Sequence, residues 1–418
     1  MTKARTGNLL NRAKHHLPGL AWGMALLTVL APGFADSLWA QAQSYDVIYS
    51  FQCEPSDGDQ PYGDLVADSA GNLYGVTRYG GPNHSRFGSY GYGTVYKISP
   101  NGMETVLHSF AGPPTDGANP EAGLVRDSSG NFYGTTLYGG ANNQGTVFEI
   151  SAGGTETILH NFEGSTSDAY FVTGNLLLDP AGNLYGTAGG GGEFGNGAVF
   201  KLSNAGKLTL LYSFAGPPDD GSGPATGLNR DSANNLYSTT EFGGAASGGT
   251  IFELTKAGVE KALYSFLGSP DGQYPAANLL RDTVGNLYGT TIAGGVKSAC
   301  GLQDLKGCGT VFKLVPNGTE TLLYAFTGGN DGAVPYSDLV MDPKGNLYGT
   351  ASQGGSDQSG VVFQITSAGK EKLLHTFTYP PDGEAPYGGL LFTSGALYGT
   401  TSGGGNSNGC GTVFKVTP

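Results

Sequence analysis

Short runs of β-branched and aromatic residues recur along almost the whole chain, each stopped by glycine, asparagine, aspartate or proline. In the first full unit the runs are Leu65–Asp68, Asn72–Thr77, Thr94–Ser99 and Glu104–Phe110. Such runs bounded by turn residues predict short strands, and no stretch carries the 3.6-residue or heptad period of a helix. Asn101-Gly102, between the third and fourth runs, predicts a two-residue hairpin turn, which asks for positive φ at both central positions. Ser69-Ala70-Gly71 joins the first two runs tightly.

The four-run unit repeats. Its Gly-Asn-Leu-Tyr-Gly-Thr phrase places tyrosines at Tyr74, Tyr133, Tyr185, Tyr237, Tyr288, Tyr348 and Tyr398, spaced by 59, 52, 52, 51, 60 and 50 residues. The Gly-Thr-Val-Phe phrase starts at Gly93, Gly145, Gly197, Gly249, Gly309, Gly360 and Gly411. The fourth run ends at Phe110, Phe162, Phe214, Phe266, Phe326 and Phe377. Four-stranded antiparallel units with a period near 50 predict an all-β, seven-bladed β-propeller over residues 43–418. The seventh unit lacks a fourth run after Thr412–Thr417, and a lone fourth-run phrase, Tyr45–Phe51, precedes the first unit. The N-terminal strand is therefore expected to complete the last blade and close the ring. Closure removes exposed strand edges, so a monomer is expected.

Composition narrows the class. Gly (73) and Pro (22) are abundant, but 38% hydrophobic and 11% aromatic residues exclude collagen and simple disorder. With 21 basic against 34 acidic residues, a net charge of −13 and no basic run, the chain is not expected to bind nucleic acid. Lys3, Arg5, Arg12 and Lys14 precede an uncharged stretch from Leu17 to Ala35 and small residues at Ala40 and Ala42. That order predicts a signal peptide over residues 1–42 and an exported product, extracellular or periplasmic. Pro18 and Pro32 interrupt the apolar stretch, and no later segment approaches ~20 apolar residues, so no membrane insertion of the mature chain is expected.

Two acidic phrases stand out. Asp68, Asp127, Asp179, Asp231, Asp282 and Asp342 sit in the turn between the first two runs, where aspartate bonds its own backbone. Calcium is the alternative there, through clustered carboxylates and carbonyls. The second phrase, Asp-Gly-x-x-Pro, lies between one unit and the next at Asp57, Asp116, Asp220, Asp271, Asp331 and Asp382, and is degenerate at Ser167-Asp168. This connection is expected on the same face as the long, variable loops Tyr79–Tyr92 and Gly294–Gly307, so these six aspartates are the candidate binding residues. His108, His160 and His375 share a fourth-run position with Tyr49, Tyr212, Tyr264 and Tyr324, which predicts packing rather than base catalysis; His84 alone lies in a variable loop. No HExxH, GxSxG, P-loop or CxxC signature is present. Four cysteines in an exported chain predict two disulfides. Cys300 and Cys308 share one inserted loop. The hairpin register sets Gly411 opposite Phe51, which brings Cys410 and Cys53 onto adjacent strands as a clasp of the two chain ends.

The recurring Gly-Asn-Leu-Tyr-Gly-Thr-Thr and Gly-Thr-Val-Phe-Lys phrases resemble the GloVer tandem repeat of exported bacterial "choice-of-anchor" proteins. The resemblance implies an exported repeat protein, without catalytic residues to transfer. Two functional classes follow. One is a non-catalytic binding or scaffold module whose partner is a glycan, a protein or an envelope component, with aromatic loops such as Phe87–Tyr92 suited to sugars. The other resembles gluconolactonase-like or streptogramin-lyase-like propellers and is a metal-dependent hydrolase or lyase using the Asp-Gly-x-x-Pro carboxylates or the first-run residues Asp64, Asn175, Asn278 and Asp338. It would need three of those oxygens within about 2.3–2.6 Å of one cation.

Overall fold

A computed structural model describes residues 43–83, 91–296, 300 and 306–418. The expected signal peptide, His84 and most of the two variable loops lie outside the described residues. Each Gly-Thr-Val-Phe phrase forms the third strand of a blade, buried along nearly its whole length, as at Thr94–Ile98, Thr146–Ile150 and Thr412–Thr417. Its antiparallel neighbours are the Leu-Tyr-Gly-Thr strand on the axial side and the fourth strand on the outer side. The first strand is shorter than its run, with only Val66–Ala67 or Val125–Arg126 pairing. Seven such sheets follow one another, and the last is completed by Ser44–Ser50 against Thr412–Thr417.

Steric and polar constraints explain the repeated residues. A Cβ on Gly134 would lie 2.6 Å from the Phe148 ring, so in this blade the phenyl lies over the strand because a glycine leaves room for it. The fourth blade instead has Ser238, whose hydroxyl donates to Gly227 O at 2.8 Å. Second and third strands exchange a buried hydroxyl–hydroxyl bond, as at Thr77–Thr94 (2.7 Å) and Thr136–Thr146 (2.8 Å). Two blades replace both partners together, by Ala188–Ala198 and Ala351–Val361. Replacing the second-strand threonine alone would strand the buried hydroxyl of its partner, costing about 1–3 kcal/mol, whereas the second-strand hydroxyl itself also donates to a main-chain carbonyl, as Thr77 does to Tyr79 O.

The hairpin between third and fourth strands corrects one expectation. Gly102 has φ of 79°, but Asn101 is not left-handed. Gly102 N–H donates to Ser99 O (2.8 Å) and Ser99 N–H to Met103 O (2.9 Å), so the turn is a type I turn through Pro100-Asn101 followed by a left-handed glycine. Pro100 has no N–H to donate to Met103, as closing a two-residue turn at Asn101-Gly102 would require. The longer turn shifts register by one residue, and a bulge at Leu107 shifts it back. All seven blades carry this bulge. Phe110 N–H thus still reaches Gly93 O (3.0 Å), and Phe51 N–H reaches Gly411 O (3.0 Å).

Blades are joined by aromatic contacts. The last phenylalanine of each fourth strand meets the third-strand aromatic ring of the next blade edge-on: Phe110–Phe148, Phe162–Phe200, Phe214–Phe252, Phe266–Phe312, Phe326–Phe363 and Phe377–Phe414. Phe51–Tyr96 completes the circuit, and all the centroid distances lie between 5.0 and 5.6 Å. Each pair contributes about 0.5–1.5 kcal/mol beyond area burial. The Cys53–Cys410 disulfide links residues 357 apart at the closing blade, and Cys300–Cys308 links two residues of one loop.

Candidate functional site

Every connector from a fourth strand to the next blade carries an aspartate at one place: Asp57, Asp116, Asp168, Asp220, Asp271, Asp331 and Asp382. Asp168 keeps the role although its phrase is degenerate. Each carboxylate accepts a backbone N–H from four or five residues earlier, donated by Gln52, Ala111, Glu163, Ala215, Leu267, Thr327 or Thr378 at 2.7–3.1 Å. It also meets the polar tip of the fourth-strand Tyr or His, as in Tyr212 Oη donating to Asp220 at 2.9 Å and His108 Nε2 lying 3.2 Å from Asp116. Asp57, Asp116, Asp220, Asp271 and Asp382 also accept the following glycine's N–H, at 2.6–2.7 Å. Tyrosine and histidine interchange here because both extend a rigid ring with a polar end. Burial pushes the Asp116 carboxyl up, but hydrogen bonds from His108, Ala111 and Gly117 outweigh it and hold it below the usual range. The expected binding aspartates are therefore spread around the ring, each bonded within its own connector.

Beyond each aspartate the chain turns toward the axis. Gln60, Asn119, Phe171, Gly223, Tyr274, Val334 and Ala385 adopt φ between 52° and 65°. For a β-branched residue such as Val334 this is strained backbone, of order 1–3 kcal/mol. It is held on both sides, since Val334 N–H donates to Cys308 O (2.9 Å) and Val334 O accepts Ser352 N–H (3.1 Å). Two residues later the connector reaches the axis, and there the repeats diverge: Tyr62, Glu121, Thr173, Ala225, Ala276, Tyr336 and Tyr387. These residues, with Glu241 and Phe171, line a cavity of about 350 Å³. Tyr62 and Tyr387 stack at 4.9 Å, and Tyr336 meets Tyr387 edge-on at 5.6 Å. Arg78 lies over Tyr62 at 5.7 Å and pairs with Glu121 at 2.9 Å. Burial pushes the Glu241 carboxyl up.

The cavity floor is formed by Asp64, Gly123, Asn175, Asn278, Asp338 and Gly389, with Gly227 at the equivalent position of the remaining unit. Here the four residues expected for the catalytic reading come together. Gly123 N–H donates to Asn175 Oδ1 (2.6 Å), Gly227 N–H to Asn278 Oδ1, and Gly389 N–H to Asp64 Oδ1. Asn175 Nδ2 donates to Asp64 Oδ2, while Asn278 donates to Asp338 through its backbone N–H (2.7 Å) and Nδ2. Burial, and then the charge of Asp64, push the Asp338 carboxyl well above the usual carboxylate range. All four oxygens of the pair accept a donor, from Gly389, Asn175 or Asn278.

Sequence reasoning found the floor and missed the mouth. Tyr62, Glu121, Glu241, Tyr336 and Tyr387 carry no motif. The available signal was disagreement, because the position after the connector proline is the one place where seven otherwise similar units hold Tyr, Glu, Thr or Ala.

Among known proteins, the Gloeobacter/Verrucomicrobia repeat matches residues 84–303 and 298–418. No curated protein matches. Among solved structures, a streptogramin B lyase is similar at 15% identity with a TM-score of 0.55, covering 90% of this chain and 97% of that one. The extracellular domain of a putative one-component system from B. thetaiotaomicron is similar at 12% identity with a TM-score of 0.54. That match covers 88% of this chain and 39% of the other. At these identities the likeness is one of fold.

Proposed function

The chain belongs to the Gloeobacter/Verrucomicrobia repeat family, and we propose that this member is an exported binding propeller that takes the hydroxyl-rich end of a glycan in its axial mouth. The observation that carries the reading is the mouth itself, where three tyrosines stand beside Glu121 and Glu241 on strained, doubly held connectors. Sugar rings present apolar C–H faces to aromatic rings and hydroxyls to carboxylates, and the cavity lies in the size range of small-ligand pockets. Export rests on the basic-then-apolar N-terminal segment and agrees with the two disulfides.

Calorimetry against a panel of neutral mono- and disaccharides tests the reading. A hit is expected to weaken at least tenfold in Tyr387→Ala while the melting temperature stays close to wild type. No hit, or equal affinity in the variant, overturns it. The second reading, a metal-dependent hydrolase or lyase, draws on the fold shared with the streptogramin B lyase and on the Asp64–Asp338 pair facing the same cavity. It requires a stoichiometric metal, calcium included, that is lost in Asp338→Asn and whose removal lowers the melting temperature.

A further inference from the structure

We propose a zinc-type divalent metal site at the seam between the first and second blades, formed by His108, Asp116 and Glu156. His108 ends the fourth strand of the first blade, Asp116 lies in the connector, and Glu156 opens the fourth strand of the second. Their ligand atoms all lie within 4.8 Å of one another. His108 Nε2 and Asp116 Oδ2 are 3.2 Å apart, the spacing of neighbouring ligands on an ion with bonds of about 2.0–2.2 Å. Glu156 Oε1 is buried and has no hydrogen-bond partner among the described residues. The His108 and Asp116 side chains are 19% and 11% exposed, so an ion can reach them. Asp116 is held in place by Ala111 and Gly117 N–H groups, as an outer shell would hold a ligand. A nitrogen and two carboxylates suit zinc better than calcium, which takes six or more oxygens.

The other seams serve as internal controls. Glu104, Glu260, Glu320 and Glu371 face Asp57, Asp220, Asp271 and Asp331 in the same way, but with Tyr49, Tyr212, Tyr264 and Tyr324 in place of the histidine. His160 and Asp168 face Leu208, and His375 and Asp382 face Tyr45. Among the described residues, one seam alone joins histidine, aspartate and glutamate.

Zinc chloride titrated into the tag-free purified chain, followed by calorimetry and thermal melting, tests this. One equivalent is expected to bind and to raise the melting temperature. Cobalt in its place should give a visible d–d band. His108→Tyr and Glu156→Leu introduce residues that equivalent seams already hold, so both should fold. Each should weaken zinc binding at least tenfold, while His160→Tyr leaves it unchanged. No stoichiometric uptake at micromolar zinc, or uptake that both variants retain, overturns the proposal.

Discussion

The perimeter aspartates and the axial ones lie on the same connectors only seven residues apart, at Asp57 and Asp64 or Asp331 and Asp338, yet they behave oppositely. At the perimeter all seven units hold aspartate, and every carboxylate is bonded to its own connector. At the axis the units hold Asp, Gly, Asn, Gly, Asn, Asp and Gly, and burial beside Asp64 pushes the Asp338 carboxyl well above the usual range. Where the repeats agree, the residue satisfies a local backbone need that recurs seven times. Where they disagree, no such need constrains the choice, and the residue is available to a ligand.

The sharpest way to break the perimeter is to open its clasp. Replacing Cys53 and Cys410 by serine frees a loop closed over 357 residues, and loop-closure entropy puts the loss at about 5–6 kcal/mol. The Cys300 and Cys308 pair, 8 residues apart, is worth about 2–3 kcal/mol on the same basis. Guanidinium unfolding of the two double variants should rank them in that order. Next comes Asp220→Ala, which strands the Ala215 and Gly221 N–H groups and Tyr212 Oη, at a cost of about 2–4 kcal/mol. Asp338→Asn at the axis should cost less than Asp220→Ala, because it removes a carboxylate charge that burial and Asp64 oppose, although one of the two oxygens accepting from Asn278 becomes a donor. Equal losses for these two would erase the distinction between perimeter and axis.

A pH series sharpens the comparison further. Burial, then the charges of Asp57, Asp220 and Asp271, push Glu104, Glu260 and Glu320 up to about 7. A raised carboxyl contributes stability that is fully present below its unfolded pKa and is lost as pH rises through the folded value. The melting temperature should therefore fall between about pH 5 and pH 8. The turn carboxylates act with the opposite sign. Hydrogen bonds from Asn72, Tyr74 and Ala70 overcome desolvation and pull Asp68 down to about 2, so its contribution disappears only in strong acid. A melt that is flat between pH 5 and pH 8 would contradict the buried acid pairs.

Much of the fold was legible because it repeats. The Tyr, Thr-Val-Phe and terminal Phe positions recur seven times, and the lone Tyr45–Phe51 phrase has one place to go. The clasp register also came out as expected, but through two offsetting departures, a longer turn like that at Ser99–Met103 and a bulge like that at Leu107. Asp64, Asn175, Asn278 and Asp338 could be picked out because they are polar residues just before strands whose next residue is a buried leucine. The mouth could not. Tyr62, Tyr336 and Tyr387 reach it only because Gln60, Val334 and Ala385 turn left-handed, and nothing in their residue types announces that conformation.

Amide hydrogen exchange with and without a bound saccharide tests the division most directly. Binding at the axial mouth predicts new protection at residues 60–64, 119–123, 334–338 and 385–389, with the Asp-x-x-Gly-Asn turns unchanged. Protection confined to those turns or to the outer strands, with the connectors exchanging as before, would contradict it.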